Sequence, residues 1–414
     1  MKLNPRQQIT QFAHILQSSL FPVLQDELGE LTVPARRLVA TLEMTPLARF
    51  VPCGKGWVGR PSKDRLAIAS AFVAKAIYAF GTTRALLDAL ATDTQLRKIC
   101  GWNQAWQVPH EATFSRAFEE FAKMQLPSFV HDALIRESQE GRLIGHIARD
   151  ATAIEARERF PETPAQRAER KARRKEERRK ARQQACVADS GAPRPRCKPG
   201  PKPGPRGPHK RYPGGKKPHL PLPNSRLERQ RSMSLPDMLK ELPTQCDIGG
   251  KKNSKGNTMF WHGYKLHLDV ADGQIPITAV LTSASVHDSQ VAIPLAIMTS
   301  QRVTYCYELM DSAYDAHHIR EQSRAMGHVP IIDPHLHASK ETPFEPKAEK
   351  GLSPAEQQRY RERTMVERVN ARVKDEFGGR TIRVRGHAKV MTHLMFGILA
   401  LTVDQLLKLV VRRI

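Results

Sequence analysis

Between Pro193 and Pro223 the chain carries eleven prolines among repeated Gly and Lys, a density at which no regular element survives. This stretch lies within a longer basic segment, residues 160–245, that reads as a flexible insert and parts the sequence into two foldable regions. Residues 165–182 (AQRAERKARRKEERRKAR) predict a transient basic helix inside it. From Arg167 to Arg231 there are 22 Lys+Arg against 5 Asp+Glu, a net +17, while the whole chain of 414 residues carries +24. A positive field this concentrated points to a polyanion, nucleic acid first and an anionic membrane second. Such a segment grips phosphate backbones without reading sequence; the plainer alternative is a solubilising linker.

The membrane reading weakens on inspection. The first residues, MKLNPRQQITQFAHIL, lack the unbroken apolar run of a signal peptide. The most apolar segment, His393–Val411, is interrupted by Asp404, Gln405 and Lys408 and reads as a buried helix. The six cysteines (53, 100, 186, 197, 246 and 306) form no CxxC pair. That spacing argues against a zinc knuckle or disulfide framework and suits a reducing cytoplasm.

Three regions follow from the patterning. Residues 1–58 read as a loosely helical extension. Residues 59–141 predict a helical domain, opening with Ser62 as the cap of a helix whose stripe is Leu66, Ala69, Val73, Ala76, Ile77 and Phe80. Further helices are expected from Thr83 to about Ala91, from Thr94 to Cys100, from His110 through Phe121, and from about Leu126 to Gln139. Short helices with tight turns and exposed Arg and Lys fit a helix-turn-helix-like DNA module; an ordinary bundle has the same pattern. Residues 142–414 change character. Leu143, Ile144 and Ile147 predict a short buried strand ending on Asp150. Order is expected to return near Cys246, with a hairpin of strands Phe260–Val270 and Ile275–Thr282 joined by Ala-Asp-Gly. A helix over Ser289–Thr299, a strand Tyr305–Met310 ending on Asp311, a helix Ala316–Ala325, a strand His328–Ile332, and a last apolar helix His387–Val411 complete the pattern. His287-Asp288 reads as a turn cap, with support of a nearby site as the other reading.

Tyr360, Arg363, Glu367 and Lys374 fall at offsets of 3, 4 and 7 within YRERTMVERVNARVK, on one side of a predicted helix, while Val366, Val369 and Val373 face a core. Alone, such a face is equally well a solvated one laced with ion pairs. The order strand with Asp150, hairpin, helix, strand with Asp311, helix, strand, helix with Glu367 is that of an α/β RNase H-like fold, a mixed sheet flanked by helices. In it Asp150 and Asp311 sit on neighbouring strands, and Glu367 arrives from a helix. Three converging carboxylates repel one another, but they suit hard divalent cations that bridge to phosphate. Glu155 and Asp269 compete for the first position, yet one follows its strand and the other ends a hairpin strand, which favours Asp150. His317-His318 and His335-x-His337 read as surface histidines.

The spacing Y-x2-R-x3-E-x6-K, with Asp150 in ARDATAI and Asp311 in LMDSAYDA, resembles DDE transposases of bacterial insertion sequences, in the branch with a Tyr-Arg-Glu-Lys signature. FWHGYKLHL and PHEATFSR look like the same group, and the resemblance spans about residues 60–410. It implies that Asp150, Asp311 and Glu367 are catalytic and hold two Mg²⁺ ions, for which Mn²⁺ can substitute. It implies that Tyr360, Arg363, Lys374 and, with less support, Lys265 contact DNA phosphates. It further implies metal-dependent cleavage of double-stranded DNA at element ends, strand transfer into target DNA, a homodimer on DNA, and a nucleoid-associated bacterial protein. The 56-residue gap from Asp311 to Glu367 leaves no room for the β-rich insertion of some relatives, so hairpin-based excision is not implied. Two other readings stay open: an RNase H-like metal-dependent nuclease without strand transfer, and a non-catalytic DNA-binding protein.

Overall fold

The computed structural model describes residues 4–51, 64–158, 225–252, 257–334 and 351–411, with helical pieces between 168 and 177. Residues 1–159 and 224–414 pack as one compact unit, and residues 160–223 cluster separately. The Pro-rich part of the predicted insert and the His335-x-His337 pair lie outside the described residues; the pieces between 168 and 177 are helical, as the basic run predicts. Order returns well before Cys246. Helices Arg226–Gln230 and Leu235–Glu241 lie between the first and second strands of the sheet, and the first is tied down by Gln230, fully buried, whose Nε2 donates to the Gln290 carbonyl at 2.8 Å.

One mixed sheet organises the main unit. Its strands are β1 (Leu143–Glu155), β2 (Asp247–Lys252), β3 (Thr258–Ala271), β4 (Ile275–Ser283), β5 (Thr304–Met310) and β6 (Val329–Ile332). β3 lies antiparallel to β1, β2 and β4, whereas β1, β5 and β6 run parallel to one another. The β3–β4 hairpin turns at Asp272-Gly273-Gln274, where Gly273 and Gln274 both take positive φ, 85° and 61°. β3 alternates: Tyr264, Leu266, Leu268 and Val270 enter the main core, and Lys265, His267 and Asp269 take the other face. β1 is longer than its apolar residues suggest and does not end at Asp150. Its parallel pairing with β5 stops at Arg149↔Met310, but its antiparallel pairing with β3 runs on to Glu155↔Gly263. Gly263 makes this closeness possible, since a Cβ there would meet the Ile154 carbonyl oxygen at 2.0 Å.

The helix His387–Val411 is long and apolar enough to cross a membrane, yet 83% of its apolar window is buried inside the protein. It packs against the helices Pro5–Ile15, Arg65–Ile77 and Leu126–Gln139 as well as β4, so the N-terminal helices and the sheet share a single hydrophobic core. Phe72 centres one part of that core, with the rings of Phe114, Phe118, Phe121 and Phe396 within 6.3 Å. The change from helix to strand near residue 141 is therefore no gap in the packing. The helix from Arg65 is capped by Asp64, whose Oδ1 accepts from Leu66 N (2.9 Å) and Ala67 N (3.3 Å); Ser62 lies outside the described residues. Leu66, expected in the apolar stripe, is 38% exposed.

Candidate active site

The predicted single helix through Tyr360–Lys374 is broken in two. Helix Pro354–Tyr360 ends at the tyrosine, a tight 3₁₀ turn covers Arg361–Arg363, and the Glu367 helix spans Thr364–Asp375. Tyr360 and Arg363 stand at the entry to the Glu367 helix, with the Arg363 guanidinium 5.7 Å from the Tyr360 ring and bonded to Glu367 one turn on, so the three share the face their spacing predicts. The anchoring side agrees with the sequence pattern: Val366, Val369 and Val373 are each fully buried. Arg372 adds a polar tie, bonding both Glu376 and Asp404 of the long C-terminal helix. Gly378, at φ 80°, follows the end of the helix.

Asp150 and Asp311 are brought together. Each is the next residue after the last parallel pair of β1 and β5, Arg149↔Met310, and each is half-buried. Burial pushes the Asp150 carboxyl up to about 6, and the Asp311 charge adds to the shift. Asp311 is also raised, by burial and then by the charge of Asp288. One Asp311 oxygen accepts from Ala313 N at 3.0 Å, fixing the start of the short turn Ser312–Tyr314. The Glu367 helix touches this pair through Asn370, whose Nδ2 donates to Asp150 Oδ2 at 3.2 Å.

Glu367 itself is exposed, and its carboxylate is taken by the Arg363 guanidinium one turn earlier. Arg363 is half-buried and feels the charges of Glu367 and Asp150 together, so a cation stands where three acids were expected to converge. Among the described residues no three His, Cys, Asp or Glu side chains stand close enough to hold a metal ion. The donor chemistry still fits a hard divalent cation: two carboxylates on adjacent strand ends, each disfavouring the other's charge, offer only oxygen.

The cations around the acids are partly foreseen. Tyr360 is half-buried, and burial pushes its phenol up to about 12. Lys374 is held below the usual lysine range by burial and by the charges of Arg380 and Lys251. Lys251 of β2 also acts on both Asp150 and Asp311, which nothing in its sequence context announces. Lys265 is placed differently. It shares the sheet face of Asp269, opposite to Asp150, and its Nζ is held by the Val286 carbonyl and Asp288 Oδ1, both at 2.8 Å. Asp288 thus makes no side-chain cap bond, and the local cap contact comes from His287, whose Nδ1 accepts from Ser289 N at 3.4 Å. Asp269 is spent on a buried ion pair with Arg149, and Glu155 is exposed at the end of β1. Asn370 is the residue that sequence reasoning missed, because a lone amide one turn beyond an acid carries no charge signal.

Acids at the ends of adjacent parallel strands, with cations alongside, are chemically suited to a hard divalent cation and a phosphate ester. Residues 232–403 match the family model described as Transposase DDE domain, and residues 24–120 match the model described as Transposase domain (DUF772). The two matches support a DDE-type transposase with DNA as its partner and divalent metal use, and Asp311 and Glu367 fall within the first. No curated protein and no solved structure gives a match.

Proposed function

We propose that this protein is a transposase of the Tyr-Arg-Glu-Lys insertion-sequence branch, cutting DNA at element ends and joining the freed 3′-hydroxyls to target DNA. The observation that carries the reading is the placement of Asp150 and Asp311 side by side at the end of the β1–β5 pairing. The strand order, with the antiparallel hairpin on one side of β1 and parallel β5 and β6 on the other, supports an RNase H-like catalytic region. Asp150, Asp311 and Glu367 would hold two Mg²⁺ ions, with Mn²⁺ as a substitute. When bound, such ions activate the attacking oxygen and stabilise the leaving oxygen of an in-line displacement. The chain's own residues do the rest. Burial and neighbouring carboxylates push Asp150 and Asp311 up, and a bound cation would relieve that cost. Arg363, Tyr360 and Lys374 meet the phosphate backbone, and Arg363 must give up Glu367 as it does so. Phosphate offers the guanidinium a bidentate partner in exchange. The polycationic segment 167–231 adds sequence-independent grip, and the protein acts as a homodimer on DNA in the bacterial cytoplasm.

The Arg363–Glu367 pairing also favours a second reading, a DNA-binding protein without catalysis, in which that pair never opens. Labelled linear DNA carrying the terminal sequences that flank the gene, incubated with Mg²⁺ or Mn²⁺, separates the readings. Wild type should cleave at the ends and join the products, and Glu367→Gln should lower both by about 10³-fold or more, a loss of at least ~4 kcal/mol of transition-state stabilisation. Cutting without joining would leave a nuclease, and binding without cutting under either metal would favour the non-catalytic reading.

A further inference from the structure

Asn370 is 6% exposed and lies one helical turn beyond Glu367, between the fully buried Val369 and Val373 in sequence. Its two amide atoms have different fates. Nδ2 donates to Asp150 Oδ2 at 3.2 Å, while Oδ1 is buried and has no hydrogen-bond partner. Turning the amide over would set Oδ1 against a carboxylate oxygen, two acceptors face to face, so the hydrogen-bonding chemistry assigns the N–H to Asp150. Buried carbonyl oxygens are nearly always satisfied, and one left open on an amide bonded to an acid of the site is unusual. A nucleotide is too large to reach a buried atom. A small hard cation is not, and amide carbonyls are among the oxygens such cations take alongside carboxylates.

We propose that Asn370 is a fourth member of the site: its N–H positions Asp150, and its free Oδ1 is an oxygen donor to the divalent cation held by Asp150 and Asp311. This rests on the reading of those acids as a cation site. It also gives the Glu367 helix a reason for its seating. The helix that bears Glu367 one turn earlier is held against the first acid by the same amide, so strand and helix are brought into register there.

The test is direct Mn²⁺ binding to the full-length protein without DNA, read by electron paramagnetic resonance of the free ion, with urea denaturation alongside. Asn370→Ala should weaken Mn²⁺ binding by about tenfold or more, the size of loss typical for residues that orient a metal ligand. Asn370→Asp, which keeps an oxygen at the Oδ1 position, should bind Mn²⁺ at least as tightly as wild type. A residue that only ties helix to strand would shift the urea midpoint in both variants and leave Mn²⁺ affinity of the folded protein alone, and that outcome overturns the proposal. Should Asn370→Ala fail to fold, Asn370→Asp decides: tenfold weaker binding overturns the oxygen-donor role. Asp311→Asn separates the two levels of argument. Wild-type Mn²⁺ affinity in Asp311→Asn would bring down the acid site itself, whereas loss there with none in Asn370→Ala would bring down Asn370 only.

Discussion

Arg149 and Asp150 are consecutive residues of β1, and the strand's alternation sends them to opposite faces of the sheet, into opposite electrostatic surroundings. On the Arg149 face every acid has a cationic partner, although burial still holds the Asp269 carboxyl above the usual carboxylate range. Its guanidinium, 1% exposed, grips Asp269 through two bonds of 2.8 Å and reaches Glu308 at 3.4 Å. Thr299 Oγ1 donates to Asp269 at 2.7 Å; Tyr305 and Ser323 donate to Glu308, both at 2.6 Å. Burial works against the Glu308 charge, but Arg149 and the surrounding donors hold its carboxyl down at about 2. On the Asp150 face the acids are left short of partners, and Asp150 is pushed up to about 6. The two faces share one backbone and differ in what completes them. The first is finished by the protein, and the second is shaped to be finished by something from outside. Stability given up at such a place is characteristic of working sites.

The contrast can be broken or sharpened by single substitutions. The largest effect is expected at Arg149→Met, which leaves Asp269 and Glu308 buried and uncompensated. Unfolding in urea should show a loss of about 3–5 kcal/mol. A loss under ~1 kcal/mol would mean that the closed face does not depend on its central charge.

Next in size is Asp150→Asn, with the opposite sign. An acid whose folded pKa of about 6 exceeds its ordinary value of 3.8 holds its proton more tightly when folded. That contribution to stability is complete below about pH 4 and is lost as pH rises through about 6. In chelator at pH 7.5 the asparagine variant should be more stable than wild type by about 2 kcal/mol, a figure already reduced for the partial exposure of the group. The gain should shrink toward zero near pH 4. A variant less stable than wild type at pH 7.5 would show that the carboxylate is supported there.

The smallest effect is expected at Arg363→Ala. Its partner Glu367 is half-exposed, so the pair should contribute less than about 1 kcal/mol to thermal stability. A loss near that of Arg149→Met would make the Arg363–Glu367 pair part of the fold, not a contact waiting to open.

Local patterning determined much of this molecule. The helices Leu126–Gln139 and His387–Val411 stand where their sequences place them, because apolar periodicity and the flanking Gly141 and Gly386 act over a few residues. The hairpin faces, the buried valines behind Glu367 and the adjacency of Asp150 and Asp311 follow from the same short-range rules plus one topological step. Other features depended on partners far along the chain. β1 outruns its apolar residues because β3 keeps pairing with it, and Lys265 is taken by Asp288 across the sheet. Asp269 belongs to Arg149, 120 residues earlier, and Asn370 meets Asp150 from 220 residues away. A side chain's type and spacing say what it can do; only packing decides which neighbour it does it with. Charge and periodicity are carried by each residue alone, whereas the satisfaction of a buried polar group is a property of the pair.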